Sequence, residues 1–283
     1  MPSALILLAA TLYGMSPILA KIAYSHGVTP LTLLALRATM GTLFVWIGLA
    51  ATRRLALPPR PFLTPLVVLG LTVVPIQVGS YFYALTVLPA SSASVIANTS
   101  PVHVAWMGWL VLGETLTPAD LAILVGIVGG AALVAGQTPL AGHIVGLVAL
   151  IAATLGAAFY LVAQRRLVRD VAPLTVLAVV LPSSAAVYWS AGLVTRSIHL
   201  AMPLPAILAV AAATVAGALA SFVLLVALQV TPATRASMLG MLEPVVAVVL
   251  SVLLLGDTMT WLRAAGIAIV LSGITLLQLR RAG

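Results

Sequence analysis

The stretch ALTVLPASSASVIANTSPVHVAWMGWLVLGETLT, residues 84–117, aligns without a gap on ALQVTPATRASMLGMLEPVVAVVLSVLLLGDTMT, residues 227–260. Fourteen of the 34 pairs are identical at a constant offset of 143 residues. Among them are Pro89 with Pro232, Ala93-Ser94 with Ala236-Ser237, Pro101 with Pro244 and Gly113 with Gly256, and Glu114-Thr115 faces Asp257-Thr258. A shared bias toward Ala, Leu and Val accounts for some of the matches. It does not bring prolines, a glycine and an acidic residue followed by threonine into one register. The same offset sets Pro30-Leu31-Thr32 on Pro173-Leu174-Thr175, so the repeat extends over whole halves of the chain.

The setting of that repeat is apolar. Of 283 residues, 63% are hydrophobic and 6% charged, against roughly a quarter charged in ordinary soluble domains. Three tracts carry no Asp, Glu, Lys or Arg: 53 residues from Pro61 to Gly113, 44 from Leu121 to Gln164 and 38 from Ser197 to Thr234. A membrane helix takes ~20 apolar residues, so each tract holds two spans and a turn. Breakers at His26-Gly27, Pro58-Pro59, Pro89, Thr117-Pro118, Thr138-Pro139, Pro173, Pro203 and Pro232 then predict ten helices. Their expected limits are 3–24, 30–51, 62–87, 91–112, 117–136, 142–164, 173–195, 205–230, 233–255 and 261–279. Residues 3–136 form one repeat and 142–279 the other. Five helices is an odd number, so the second half enters the bilayer from the opposite side. The predicted fold is all-α: a polytopic membrane protein of ten transmembrane helices built as two inverted five-helix repeats, an arrangement that recurs in secondary transporters with the substrate site near the midplane.

The net charge of +8 sits in clusters, Arg53-Arg54-Arg60, Arg165-Arg166-Arg169 and Arg280-Arg281, rather than on a face that could hold a nucleic acid. With the N-terminus inside, nine of the thirteen Lys and Arg fall in cytoplasmic loops or ends, Arg235 included, and only Arg196 and Arg263 fall outside. Both termini are expected in the cytoplasm. Met1-Pro2-Ser3 has no positive leader, so the first apolar run reads as a span rather than a cleaved signal. The chain has no cysteine, which excludes disulfides and thiolate metal sites, and no alternating ~10-residue segments of an outer-membrane barrel. No cofactor or metal is expected.

The strings SPVHVAWMGWLVLGETLT and LEPVVAVVLSVLLLGDTMT resemble the motif ending the fourth and ninth helices of EamA-type carriers of the drug/metabolite transporter superfamily. YGMSPILAKIA and TPLTLLALRATMG resemble that family's first two helices. The resemblance implies five plus five helices around a central cavity, alternating access, and export of small metabolites, amino acids among them, across the bacterial inner membrane.

Two ionisable groups lie deep in spans, where each costs about 2.5–3.5 kcal/mol on insertion scales and faces the bundle interior or water. Glu243, in the ninth span, reads as a proton-coupling or ammonium-binding carboxylate, or as an acceptor at the Pro244 break. Arg37, in the second, reads as a carboxylate or gating contact, or as a group satisfied by backbone carbonyls or an acid. Ser91, Ser94 and Asn98 form a stripe in the fourth span beside the helix-breaking Pro101. Asn98 is the cavity candidate, and the two serines read as packing. Its counterpart in the ninth span is Ser237, Met241 and Pro244. Gln77 and Tyr81, four apart in the third span, are read as cavity residues or helix contacts, and Ser16 and Tyr160 are weaker cavity candidates. His103 is able to carry a proton or to bond one neighbour, and Trp106 and Trp109 suit the interfacial belt. Gly126 with Gly130, and Gly266 with Gly273, allow close helix approach within the chain or in a weak homodimer. The expected partners are a small-molecule substrate and the lipid bilayer, with a monomer or weak homodimer as the assembly. Rival readings are a channel or a non-transporting receptor. An intramembrane enzyme would need paired carboxylates or HExxH, neither of which occurs in the sequence.

Overall fold

Proline and glycine set the helix limits. The computed structural model describes residues 2–51, 58–100, 102–103, 117–135, 143–167, 171–230 and 242–282. The helices are α1 (Pro2–Ser25), α2 (Pro30–Ala51), α3 (Arg60–Leu71), α4 (Val73–Val87), α5 (Ala90–Ala97), α6 (Pro118–Ala135), α7 (Ile144–Leu167), α8 (Pro173–Val194), α9 (Leu204–Val230), α10 (Leu242–Leu255) and α11 (Trp261–Ala282). Helices α3 and α4 together make the third span, and α5 opens the fourth. The protein is an all-α polytopic membrane protein of ten spans.

The third span departs from the single helix expected over 62–87. It breaks at Thr72, whose φ and ψ are −123° and −69°. The cause is Pro75, which has no N–H to donate to the Leu71 carbonyl and whose ring crowds that turn. At the break the Val68 carbonyl takes both the Thr72 N–H (3.0 Å) and the Thr72 hydroxyl (2.7 Å).

Helix pairing carries the symmetry that the repeat demands. At the 143-residue offset α1 corresponds to α7, α2 to α8, the α3–α4 span to α9 and α6 to α11. Helix α1 packs on α9, and α4 on α7, which is the same pair with the halves exchanged. Likewise α3 packs on α8 and α2 on α9. The pairs α2–α8 and α6–α11 each map onto themselves, so a pseudo-twofold axis passes between them. Apolar solvation gives no force between helices in lipid, so small residues must let the backbones close up. Ala206, Ala209, Ala213, Ala216 and Ala220 run as one buried stripe down α9. In the α6–α11 pair a Cβ on Gly130 would lie 2.9 Å from the Gly266 carbonyl oxygen, and one on Gly266 2.7 Å from that of Gly130. Gly126 meets nothing within 4 Å. The outer surface presents Leu43, Ile47, Val125, Val148, Leu208 and Leu253 to lipid.

The end of the bundle opposite the termini is tied by hydrogen bonds between the halves. Gly256 (φ +69°) ends α10 in the left-handed region, where glycine pays no Cβ penalty. The turn delivers Asp257, whose Oδ2 accepts from the Ser91 hydroxyl (2.8 Å), the Ser91 N–H (3.3 Å) and the Ser251 hydroxyl. The carboxylate thus sits on the first turn of α5 and joins it to α10. Nearby, Thr29 and Thr32 both donate to the Ser197 carbonyl, at 2.6 and 3.0 Å. At the opposite end Arg280 pairs with Asp120 (3.2 Å), joining α11 to α6.

Candidate functional site

The spans that line the interior expose their polar residues at helical spacing, and these converge on one cavity of about 210 Å³. Helix α1 contributes Tyr13, Ser16 and Pro17, at i, i+3 and i+4. Pro17 lacks the N–H that the Tyr13 carbonyl would otherwise receive, so the ladder is open beside the cavity. Helix α4 contributes Gln77 and Tyr81, one turn apart, with Val78 and Phe82 on the adjacent row. Arg37 enters from α2, Ala97 from α5, Ala153, Thr154 and Ala157 from α7, and Glu243 from α10.

Arg37 is held without an acid. Its Nη1 donates to the Ser16 hydroxyl at 2.8 Å, and its guanidinium stands 5.1 Å from the centre of the Phe82 ring. The other edge lies against α9 at Gly217, where a Cβ would come within 2.5 Å of Nη2 and 3.0 Å of Cζ and Nε. A glycine at that point makes room for the cation. Among the described residues Arg280–Asp120 is the one ion pair. Arg37 and Glu243 therefore share a cavity without pairing with each other.

Glu243 is set by the crossing of α1 and α10, where its backbone carbonyl oxygen would lie 2.7 Å from a Cβ on Gly14. The neighbouring Pro244 is buried. Gln77 carries a buried Oε1 with no hydrogen-bond partner, an acceptor available to an N–H of a bound solute. Tyr13 and Ser221 hydroxyls meet at 2.8 Å. Ser221 spends its hydrogen on the Gly217 carbonyl (2.8 Å), so Tyr13 is the donor. That chain fixes α1 to the same turn of α9 that cradles Arg37.

Five of the residues singled out in the sequence, Ser16, Arg37, Gln77, Tyr81 and Glu243, thus line one chamber. Three others do not. Asn98 closes α5 and turns its amide back to the Ser94 carbonyl (2.9 Å), while Ala97 takes the lining position. Tyr160 is half-buried on α7, one turn beyond Ala157. His103 is half-buried outside the lining, with its Nδ1 buried and unpartnered. Pro101 and Met241 lie outside the described residues, as do Trp106, Trp109 and Ser237. The sequence reading passed over Tyr13, Thr154 and Gly217. Tyr13 stands three residues before Ser16 and so on its face, which is a usable signal. Gly217 stands between Ala216 and Ala218, which points to close approach but not to its partner. Among the described residues no three His, Asp or Glu side chains cluster as a metal site.

The chemistry on offer suits recognition: one cation, one carboxyl, a free amide acceptor and hydroxyls around one cavity. A search of curated proteins finds no match to this chain. A solved crystal structure, described only as that of a protein, is similar in fold over 100% of this chain and 99% of its own, with 22% identity and a TM-score of 0.68. The model of the EamA-like transporter family matches residues 2–136 and again 144–279, nearly the whole length in two copies. This chain belongs to the EamA-like transporter family.

Proposed function

We propose that the protein is a secondary active carrier that exports small zwitterionic metabolites such as amino acids across the bacterial inner membrane. The two inverted halves, residues 3–136 and 142–279, alternate access to the chamber between them. The observation that carries this reading is the presence of Arg37 and Glu243, unpaired with each other, on one cavity of about 210 Å³. A substrate carboxylate is received by the Nη1 edge of Arg37 beside Ser16. Its ammonium is received by Glu243, with Gln77 Oε1 and Tyr81 as further partners. The volume is below the ~300–1,000 Å³ of pockets for drug-sized ligands, in keeping with a compact solute.

Glu243 also supplies coupling: a carboxyl that holds either a proton or the substrate ammonium links export to inward proton movement. The sequence has no GxxxxGK[ST] loop for ATP. The Lys and Arg bias of the loops supports an orientation with both termini, and the Arg280–Asp120 pair, on the cytoplasmic side. The Asp257–Ser91–Ser251 junction then lies on the outer side, where it must part for the chamber to open outward.

The test is counterflow in proteoliposomes preloaded with single amino acids. A carrier accumulates the matching labelled amino acid transiently, and a channel does not. The amine lacking the carboxylate and the acid lacking the ammonium are expected to fail. No counterflow with any amino acid, or equal counterflow of the decarboxylated amine, would refute the assignment.

A further inference from the structure

Behind Arg37 lies a second, larger chamber of about 570 Å³, bounded by α2, α4, α8 and α9. Its walls are apolar throughout the half nearer the chain termini, where Phe44 and Ile47 of α2 and Phe222 of α9 form an exposed rim. Its lining includes one cation, Arg37, and no acid. The hydroxyls of Ser184, Thr214 and Ser221 are all spent on backbone carbonyls, those of Val180 and Gly70, Val210 and Gly217. Two polar groups are left. One is the Nη2 edge of Arg37, the edge turned to Gly217 and away from Ser16. The other is the hydroxyl of Tyr188, buried and without a hydrogen-bond partner. They lie at matching depth, Arg37 seven residues from the start of α2 and Tyr188 six from the end of α8, on helices that pack side by side.

We propose that this crevice is a second ligand site, for a monocarboxylate with an apolar body, its carboxylate held by Arg37 and Tyr188 and its body running between α2 and α9 toward the rim. The charge selects the head: an interior guanidinium at the depth of an unpartnered phenol, with no acid in the lining, complements one anion and repels an ammonium. The polarity gradient sets the orientation. From Arg37 to Ala51 the α2 wall extends about 21 Å at 1.5 Å per residue, apolar except for its deep end, so the acid leads and the body trails. A phospholipid of the adjoining leaflet enters tail first, and its headgroup stays at the interface far from Arg37. The two edges of one guanidinium therefore serve two chambers, Nη1 the small polar cavity and Nη2 the crevice. A monocarboxylate in the crevice draws Arg37 away from Ser16. This holds whether or not the small cavity carries amino acids.

The experiment uses the full-length protein in liposomes and a twelve-carbon carboxylic acid with a photoreactive diazirine near its far end. The expected adducts fall between Phe44 and Ala51 and at Phe222, are displaced by dodecanoate, and are not displaced by dodecanol. Loss of a charge-assisted bond in Arg37→Gln is expected to weaken displacement at least about tenfold, and Tyr188→Phe by about threefold. Gly48→Phe keeps Arg37 intact and fills the crevice, since a Cβ there meets nothing within 4 Å; it is expected to remove the adducts. Adducts that survive Gly48→Phe, or that dodecanol displaces as well as dodecanoate, would overturn the proposal. Where Arg37→Gln fails to fold, the Gly48 variant and the alcohol competitor still decide it.

Discussion

One added methyl group at Gly217 tests whether Arg37 reads the substrate. In Gly217→Ala the new Cβ lies 2.5 Å from Nη2, where ordinary contact begins at 3.4 Å, so the guanidinium must retreat by about 0.9 Å. The obstructing atoms are the tip of a long side chain and not backbone, so the helix pair itself need not move. Ala in place of Gly contributes about 0.5–1 kcal/mol to a helix interior, and an off-rotamer Arg costs about 0.5–1.5 kcal/mol. The two nearly cancel, and thermal stability is expected to stay within about 1 kcal/mol of wild type. The site does not recover in the same way. A retreat of that size, directed away from Gly217 and so toward Ser16, leaves no room for the 2.8 Å bond from Nη1 to Ser16 in its present geometry and moves the charge off its station beside Phe82. A hydrogen bond to a charged group contributes about 1.5–3 kcal/mol, and 1.4 kcal/mol is tenfold in affinity. The KM for the amino acid with the strongest counterflow is therefore expected to rise about 10- to 100-fold. Gly126→Ala, where the added Cβ meets nothing within 4 Å, is the control. A Gly217→Ala protein with wild-type stability and a KM within twofold of wild type would show that the position of Arg37 does not matter to transport.

Four further outcomes are expected. Glu243→Gln keeps the volume and removes the exchangeable proton, so uptake driven by a pH gradient is lost while the melting temperature holds; driven uptake equal to wild type would make Glu243 structural. Asp257→Asn weakens an acceptor of three hydrogen bonds joining α5 to α10 and is expected to cost about 2 kcal/mol, read as a lower melting temperature that Ser91→Ala does not lower much further. Gly130→Val forces a Cβ to 2.9 Å from the Gly266 carbonyl oxygen, a backbone atom that cannot step aside, and is expected to destabilise by about 1–3 kcal/mol; an unchanged melting curve would refute the α6–α11 crossing. Cysteines replacing Arg54 and Arg166 are expected to react with an impermeant maleimide only from the cytoplasm, and labelling of either from outside would invert the topology.

The register of Pro89 with Pro232 and Pro101 with Pro244 made the fold legible, because a five-helix repeat of apolar spans leaves few ways to pack. The exchanged pairs α1–α9 and α4–α7 are its direct consequence. The break at Thr72 escaped because Pro75 acts three residues upstream of itself, inside a run whose apolar character never changes. For the site, depth was a sound guide for ionisable groups: a charge in hydrocarbon has to find the interior, and Arg37 and Glu243 both do. It did not by itself sort the amides and phenols, of which Gln77 and Tyr81 line the cavity while Asn98 and Tyr160 do not. Asn98 satisfies itself one turn back on the Ser94 carbonyl, a local solution that a polar stripe does not reveal. Gly217 was hidden for the opposite reason. A glycine among alanines signals closeness to something, and only the packing of α2 on α9 shows that the something is a guanidinium.

The repeat also shows where the two halves part company. Arg37 on α2 corresponds to Val180 on α8, and the α2–α9 crossing corresponds to that of α8 with α3. In the α3–α8 crossing a Cβ on Gly70 would lie 2.8 Å from the Val180 carbonyl oxygen and 3.1 Å from its Cα, so backbone meets backbone. In the α2–α9 crossing the same kind of space is given to a side chain, with Gly217 taking the guanidinium and Val78, Phe82 and Ser16 closing around it. A fold whose halves exchange roles needs equivalent hinges, and the shared pairings provide them. Recognition needs inequivalence, since a cation on both halves would place two like charges near the axis with a single carboxyl, Glu243, to offset them. The duplicated chain meets both needs by keeping the helix packing common to the halves and confining the deep cation to one of them.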